Sequence, residues 1–141
     1  MPEKDILQLI DGANRGRATL VDDTPAAEFV LDEAFGCSQR LVSYGSLQPG
    51  GSNHGQLAGC KGVWAAVEVP GRLTMREYAA FTYDPAAAPV AMQMFTSVDL
   101  PARWPQLDVF EGPGYRRILV AVYRRKKMLA VANLYAVVDP V

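Results

Sequence analysis

RRILVAVYRRKKMLAVANLYAVV, residues 116–138, is the stretch that decides the fold. Two apolar runs rich in β-branched and aromatic residues, Arg116–Tyr123 and Met128–Val138, flank Arg124-Arg125-Lys126-Lys127. Four cations between apolar segments read as a solvated hairpin turn, with contact to a phosphate or an anionic surface as the sharper alternative. A link this short cannot carry a parallel crossover, so the two runs pair antiparallel. Upstream, from Gln39 onward, the same texture recurs: Arg40–Ser43, Gly62–Val69, Tyr78–Tyr83 and Val90–Thr96 are short strand-like runs punctuated by Gly, Pro and Asp.

Between the fourth and fifth strands, Leu100–Glu111 has helical spacing, with Leu107 and Phe110 at i and i+3 on a core-facing side, Pro105 suited to the first turn and Gly112 as the stop. Asp108 and Glu111 then share the opposite face. The sum is an α+β fold, a small, mostly antiparallel β-barrel with flanking helices, over residues 40–141.

Residues 1–39 read as a helical N-terminal extension. Ile6, Leu7, Leu9 and Ile10 form a short apolar helical patch that stops near Gly12, and Arg15-Gly16-Arg17 follows as a polar link. Thr24 before Pro25 is a helix start, Ala26, Phe29, Val30 and Ala34 lie at helical spacing, and Gly36 ends the helix. The extension packs on the main domain or on a partner subunit, which makes a homo-oligomer one of the arrangements it allows.

Composition narrows the function classes. At 141 residues, 50% hydrophobic and 21% charged, the chain builds one core, and a formal charge of -1 argues against nucleic acid as a partner. Cys37 and Cys60 lack metal-ligand spacing and the chain has one histidine, so a structural zinc is not expected. No leader pattern and no apolar run near 18 residues is present, which points to a cytoplasmic protein with reduced thiols and no membrane partner.

Chemistry concentrates in a few places. Ser43-Tyr44-Gly45-Ser46-Leu47-Gln48-Pro49-Gly50 follows an apolar strand. Gly45 can turn successive amides into one concavity and Ser46 adds a hydroxyl, so the loop reads either as an anion cradle or as an ordinary strand-to-loop turn. It is not a P-loop, because no Lys occurs before Lys61 in this region. Glu111, before Gly112, is a solvated helix-end carboxylate unless apolar walls surround it; walled in, it moves protons near neutral pH. Ser46 with His54 lacks the G-x-S-x-G elbow, and His54 in its polar loop reads as a hydrogen-bonded structural histidine. Tyr115 and Tyr135 are strand tyrosines with donating tips, only one of Arg116 and Arg117 can face a pocket, and Trp64 and Trp104 are packing residues.

Taken in order, Val42-Ser43-Tyr44-Gly45-Ser46-Leu47, Pro49-Gly50, Asn53-His54, Leu107-Asp108-Val109-Phe110-Glu111-Gly112 and Tyr115-Arg116-Arg117 resemble the gamma-glutamylcyclotransferase-like family over residues 41–138. The resemblance implies a small β-barrel and an intramolecular reaction. The substrate's α-amine attacks its own γ-carbonyl, closes a 5-oxoproline ring and expels an amine or amino acid. It implies Glu111 as the general acid/base, Tyr44, Gly45, Ser46 and Leu47 as substrate-holding residues, and Tyr115 and Tyr135 in the cavity lining. It implies a small-molecule γ-glutamyl compound as partner, with no metal and no organic cofactor. The strand Val90-Ala91-Met92-Gln93-Met94-Phe95-Thr96 departs from the family pattern, which usually carries a glycine and a polar-aromatic run there. The alternative is a non-catalytic small-ligand binding protein of the same fold.

Overall fold

The computed structural model describes residues 1–19, 26–75 and 77–138. Six strands, β1 (Arg40–Ser43), β2 (Gly62–Met75), β3 (Ala79–Tyr83), β4 (Pro89–Ser97), β5 (Tyr115–Arg124) and β6 (Lys127–Val137), combine with helices α1 (Glu3–Thr19), α2 (Ala26–Phe35) and α3 (Leu100–Glu111). Strand order β2-β4-β1-β6-β5 closes on itself through a β2–β5 pairing, giving a five-stranded barrel with β3 added to the far half of β2. Neighbours run antiparallel except β1 and β6, which pair parallel at Leu41–Asn133 and Val42–Leu134.

Residues 116–138 form the antiparallel hairpin their sequence implies, joined by Arg125 and Lys126 at φ 51° and 67°. Two successive left-handed residues match the right-handed twist of the strands, and the basic side chains stand in solvent. Side chains alternate across both strands. Val120, Val122, Ala130, Ala132 and Leu134 fill the barrel with Val42, Val67, Val69, Phe81, Met92 and Met94, while Leu119, Ala121 and Val131 face outward against the helices.

The barrel has an incomplete seam. β2 and β5 pair only at Glu68–Tyr123, so the edge of β5 nearer Tyr115 needs other partners. Asn14 of α1 supplies them: its Nδ2 donates to the Leu119 carbonyl at 2.8 Å and its Oδ1 accepts the Leu119 amide at 2.8 Å. The Tyr83 hydroxyl accepts the Ala121 amide at 3.2 Å, and Arg17 donates to the Arg117 carbonyl at 3.2 Å. Side chains thus stand where a neighbouring strand would bond.

This explains why α1 does not stop near Gly12 as its apolar pattern implied. Ile6, Ile10 and Ala13 are buried, and the same face continues as Asn14 and Arg17, which hydrogen-bond rather than pack. A helix glycine costs about 1 kcal/mol relative to alanine, and the tertiary bonds beyond it offset that cost at Gly12 and Gly16. In α2 the buried residue is Leu31, at 0% exposure, whereas Phe29 is 65% exposed, so the inward face differs from the Ala26/Phe29/Val30/Ala34 reading. The helix meets α1 and β6 at a shallow cleft, where one leucine with Ala27 and Phe35 suffices. The Thr24-Pro25 start lies outside the described residues. In α3, Pro101 occupies the first turn and Pro105 sits within the helix, because the helix begins at Leu100. β2 runs six residues past Val69, its far half pairing with β3 instead of β4. Among the described residues no helix is long and apolar enough to cross a membrane.

Asn14→Ala leaves two backbone groups of Leu119 without partners and is expected to lower stability by about 1–3 kcal/mol in urea unfolding; an unchanged midpoint would mean the seam is satisfied without α1. Replacing Arg125-Lys126 with Asn-Gly relieves two left-handed side-chain-bearing residues. That variant is expected to gain roughly 1 kcal/mol, read as a higher unfolding midpoint.

Candidate active site

Glu111 owes its position to the stripe it ends. Leu100, Trp104 and Leu107 are buried at i, i+4 and i+7 of α3, and Glu111 falls at i+11 on the same side. The carboxylate is therefore not opposite the core face, as its pairing with Asp108 implied, but at the point where the buried stripe runs out. Phe110, 38% exposed, stands on the rim and not in the core. Gly112 caps the helix at φ 78° and ψ -174°, donating to the Asp108 carbonyl at 3.2 Å. A side chain at 112 would strain this left-handed turn, which swings the chain away and leaves Glu111 at the edge of open space.

That space is a cavity of about 500 Å3. Val42 to Leu47 and Asn53 form one wall, Glu111, Tyr115 and Tyr135 another, and Phe110, Glu77 and Tyr78 of the β2–β3 connection and Ala79 at the start of β3 the rim. All seven residues expected at the site from sequence, Glu111, Tyr44, Gly45, Ser46, Leu47, Tyr115 and Tyr135, line this one cavity. Val42, Ser43, Asn53, Glu77, Tyr78, Ala79 and Phe110 complete it without having been named as site residues. Tyr78 is 76% exposed and Glu77 is exposed as well, so no periodicity marks them; the β2–β3 pairing alone brings them to the barrel mouth.

The loop after β1 is held by its own side chains. The Ser43 hydroxyl accepts the Gly45 amide at 3.3 Å, Gln48 Nε2 donates to the Ser43 carbonyl at 2.6 Å, and Asn53 donates to the Ser46 hydroxyl at 2.8 Å. A Cβ on Gly51 would lie 2.3 Å from the Ser46 carbonyl oxygen, so the loop closes this tightly only around glycine. Gly45 is not in the left-handed region and its amide is engaged; a Cβ there would meet nothing within 4 Å. The amides of Ser46 and Leu47, by contrast, have no acceptor among the described residues. The donors available to an anion are thus one and two residues beyond Gly45. His54 Nδ1 lies 2.9 Å from the Leu47 carbonyl and the ring packs near Trp64, a structural role.

The phenols of the wall are all committed. Tyr44 donates to the Tyr135 carbonyl at 2.6 Å, Tyr135 to Asp108 Oδ1 at 2.6 Å, and Tyr115 to the Ala79 carbonyl at 3.1 Å. Burial, with Glu111 among the neighbouring charges, raises all three above the ordinary tyrosine value, Tyr44 and Tyr135 the most, so they stay protonated. Glu111 makes no hydrogen bond among the described residues, and burial raises its proton affinity above that of a free carboxylate. Of the paired arginines, Arg117 turns to Asp108 at 2.9 Å and lies over Trp104 at 4.6 Å, while Arg116 is exposed. No cluster of metal-ligating side chains occurs among the described residues.

Comparison with known proteins follows this geometry. Solved structures with a similar fold include an AIG2-like protein from Mus musculus, at 18% identity and TM-score 0.56 over 73% of this chain and 79% of that one. A protein from Arabidopsis thaliana matches at 20% identity and TM-score 0.56, covering 72% and 69%. An uncharacterised protein from Pyrococcus horikoshii matches at 18% and 0.53, covering 72% and 79%. At these identities the likeness is one of fold. No curated protein matches. The family model described as gamma-glutamyl cyclotransferase, AIG2-like, matches residues 41–140, most of the chain and all six strands but for the first residue of β1. The chain belongs to the AIG2-like gamma-glutamyl cyclotransferase family.

Proposed function

We propose that the protein closes the γ-glutamyl group of a small molecule to 5-oxoproline, releasing an amine or amino acid, with Glu111 as general acid/base. The observation that carries this reading is a half-buried carboxyl of raised proton affinity, Glu111, opening on a cavity lined also by a loop with two unengaged amides. Membership in the family supports the same chemistry.

The reaction is intramolecular, so most of the barrier falls to positioning: the substrate must be folded until its α-nitrogen approaches its own γ-carbonyl carbon. Glu111, ionised, takes a proton from the attacking nitrogen. The new C–N bond forms and the carbonyl oxygen gains charge, for which the unengaged Ser46 and Leu47 amides are the available donors, either there or at the α-carboxylate. Glu111 then returns its proton to the leaving nitrogen as the old C–N bond breaks. One side chain serves both transfers, and the scheme uses no metal or organic cofactor. The three phenols beside Glu111, those of Tyr44, Tyr115 and Tyr135, already donate their protons elsewhere.

Glu111→Gln, assayed for 5-oxoproline release from γ-glutamyl amino acids, γ-glutamylamines and glutathione, is expected to lower kcat by about 10²- to 10⁴-fold on every substrate the wild type accepts. Equal turnover by both proteins would remove Glu111 from the mechanism. No product from folded wild type on any of them would favour a ligand-binding protein. For the wild type, kcat/KM should fall as pH drops through a value above the ordinary glutamate pKa of about 4.3, since the base must be ionised.

The same burial gives an opposite effect on stability. A carboxyl whose folded pKa is raised binds its proton more tightly in the folded state, so the stability it contributes is present below its unfolded pKa and is lost as pH rises through the folded one. Glu111→Gln is therefore expected to raise Tm relative to wild type at neutral pH, with the gap closing below about pH 4.

A further inference from the structure

A continuous set of hydrogen bonds runs from the N-terminal helices into the cavity wall. Its centre is Asn133, 1% exposed on β6, whose amide is served on both sides. Nδ2 donates to the Cys37 carbonyl at 2.8 Å, and Oδ1 accepts from Arg17 at 2.8 Å and Arg117 at 3.1 Å. Two guanidinium groups on one oxygen repel each other unless each has its own counter-charge. Arg17 has Glu28, at 2.5 and 3.2 Å, and Arg117 has Asp108, at 2.9 and 3.4 Å. Charge alternates outward from Asn133, and the Arg17 side chain, 16% exposed, is largely out of solvent.

The far end of this set is the active-site wall. Asp108, gripped by the Arg117 fork, accepts the Tyr135 hydroxyl; the Tyr135 carbonyl accepts the Tyr44 hydroxyl; and both rings line the cavity with Glu111. Arg117 is held to this end by Asp108, Asn133 and the Trp104 ring beneath it. Arg17 meets the same set from the other side, donating to both the Arg117 carbonyl and the shared Asn133 oxygen. Arg17 and Glu28 also lie outside residues 41–140, so this buttress comes from a part of the chain that the family model does not include.

We propose that Arg17 is a positioning residue for the active site: with Glu28 it fixes the Asn133–Arg117–Asp108 set, and through Asp108 the Tyr135 and Tyr44 rings that face the substrate. Its kinetic consequence rests on the cyclotransferase reading; its structural consequence does not.

The test uses Arg17→Met combined with Glu28→Gln, so that no partly buried carboxylate is left unpaired, with Arg15→Met on the exposed side of the same helix as control. Tyrosine labelled with 13C at Cζ reports each phenol, and Tyr→Phe variants assign the lines. The double variant is expected to shift the Tyr135 and Tyr44 resonances in the direction that Asp108→Asn shifts them, while the control shifts neither. In the 5-oxoproline assay kcat should fall about tenfold with KM within about twofold, and the same change made in a Tyr135→Phe background should add no further loss. Wild-type positions for both resonances in the double variant would overturn the proposal, as would a kcat loss fully additive with Tyr135→Phe. If wild type releases no 5-oxoproline, the cyclotransferase reading fails by itself, and the resonances alone decide whether Arg17 positions the wall.

Discussion

Everything around the barrel answers to one unfinished edge. A five-stranded barrel closed through a single bridge leaves the edge of β5 between Tyr115 and Tyr123 without a strand partner, and unpaired amides and carbonyls cannot simply be covered with apolar side chains. Asn14, Arg17 and the Tyr83 hydroxyl take up that edge, and the demand for them places α1 against β5. With α1 in place, Ile6, Ile10 and Ala13 bury Leu119, Ala121 and Val131, and α2 closes over them through Leu31. Asn133, Arg117 and Asp108 then link this outer layer to the cavity.

Strands, hairpin and α3 were legible because each rests on local pattern. The 116–138 hairpin shows alternation with a charged turn, and Leu100–Glu111 runs between a proline-bearing start and a glycine stop. That seven residues would gather at one cavity was legible through ordered motifs rather than through their surroundings. What escaped the sequence depends on distant partners. Nothing near Asn14 says that its amide will stand beside Leu119, 105 residues away, so α1 seemed to end where its apolar face did. Nothing near Tyr78 says that the β2–β3 pairing carries it to the barrel mouth. Asp108 and Glu111 looked equivalent three residues apart, yet one is an ion-pair partner and the other ends the buried stripe. Their difference comes from Arg117 on β5, which pairs with Asp108, and from the α3 stripe that Glu111 ends.

The site is economical in mobile protons. Tyr44, Tyr115 and Tyr135 each donate to a fixed acceptor and are held protonated by burial, so they shape the cavity without exchanging protons with its contents. Asp108, bridging Tyr135 and Arg117, is similarly engaged. Glu111 differs from these: it is a half-buried carboxyl with no fixed partner among the described residues, at a helix end whose left-handed glycine turns the backbone aside. An unpartnered acid in a wall of partnered ones is a costly arrangement for folding and a serviceable one for proton transfer.

The parallel pairing of β1 with β6 also sets an order of assembly. Leu41 and Asn133 lie 92 residues apart and meet without a local crossover unit, so the barrel cannot close until β6 has been made. The β5–β6 hairpin, with a two-residue turn, has little loop entropy to overcome, whereas β1 must be captured across those 92 residues. During synthesis β1, β2 and β4 emerge with their apolar faces open and their last neighbour still missing. Of the described pairings, that of β1 with β6 closes the longest loop, and until it is made those open edges can pair with another chain.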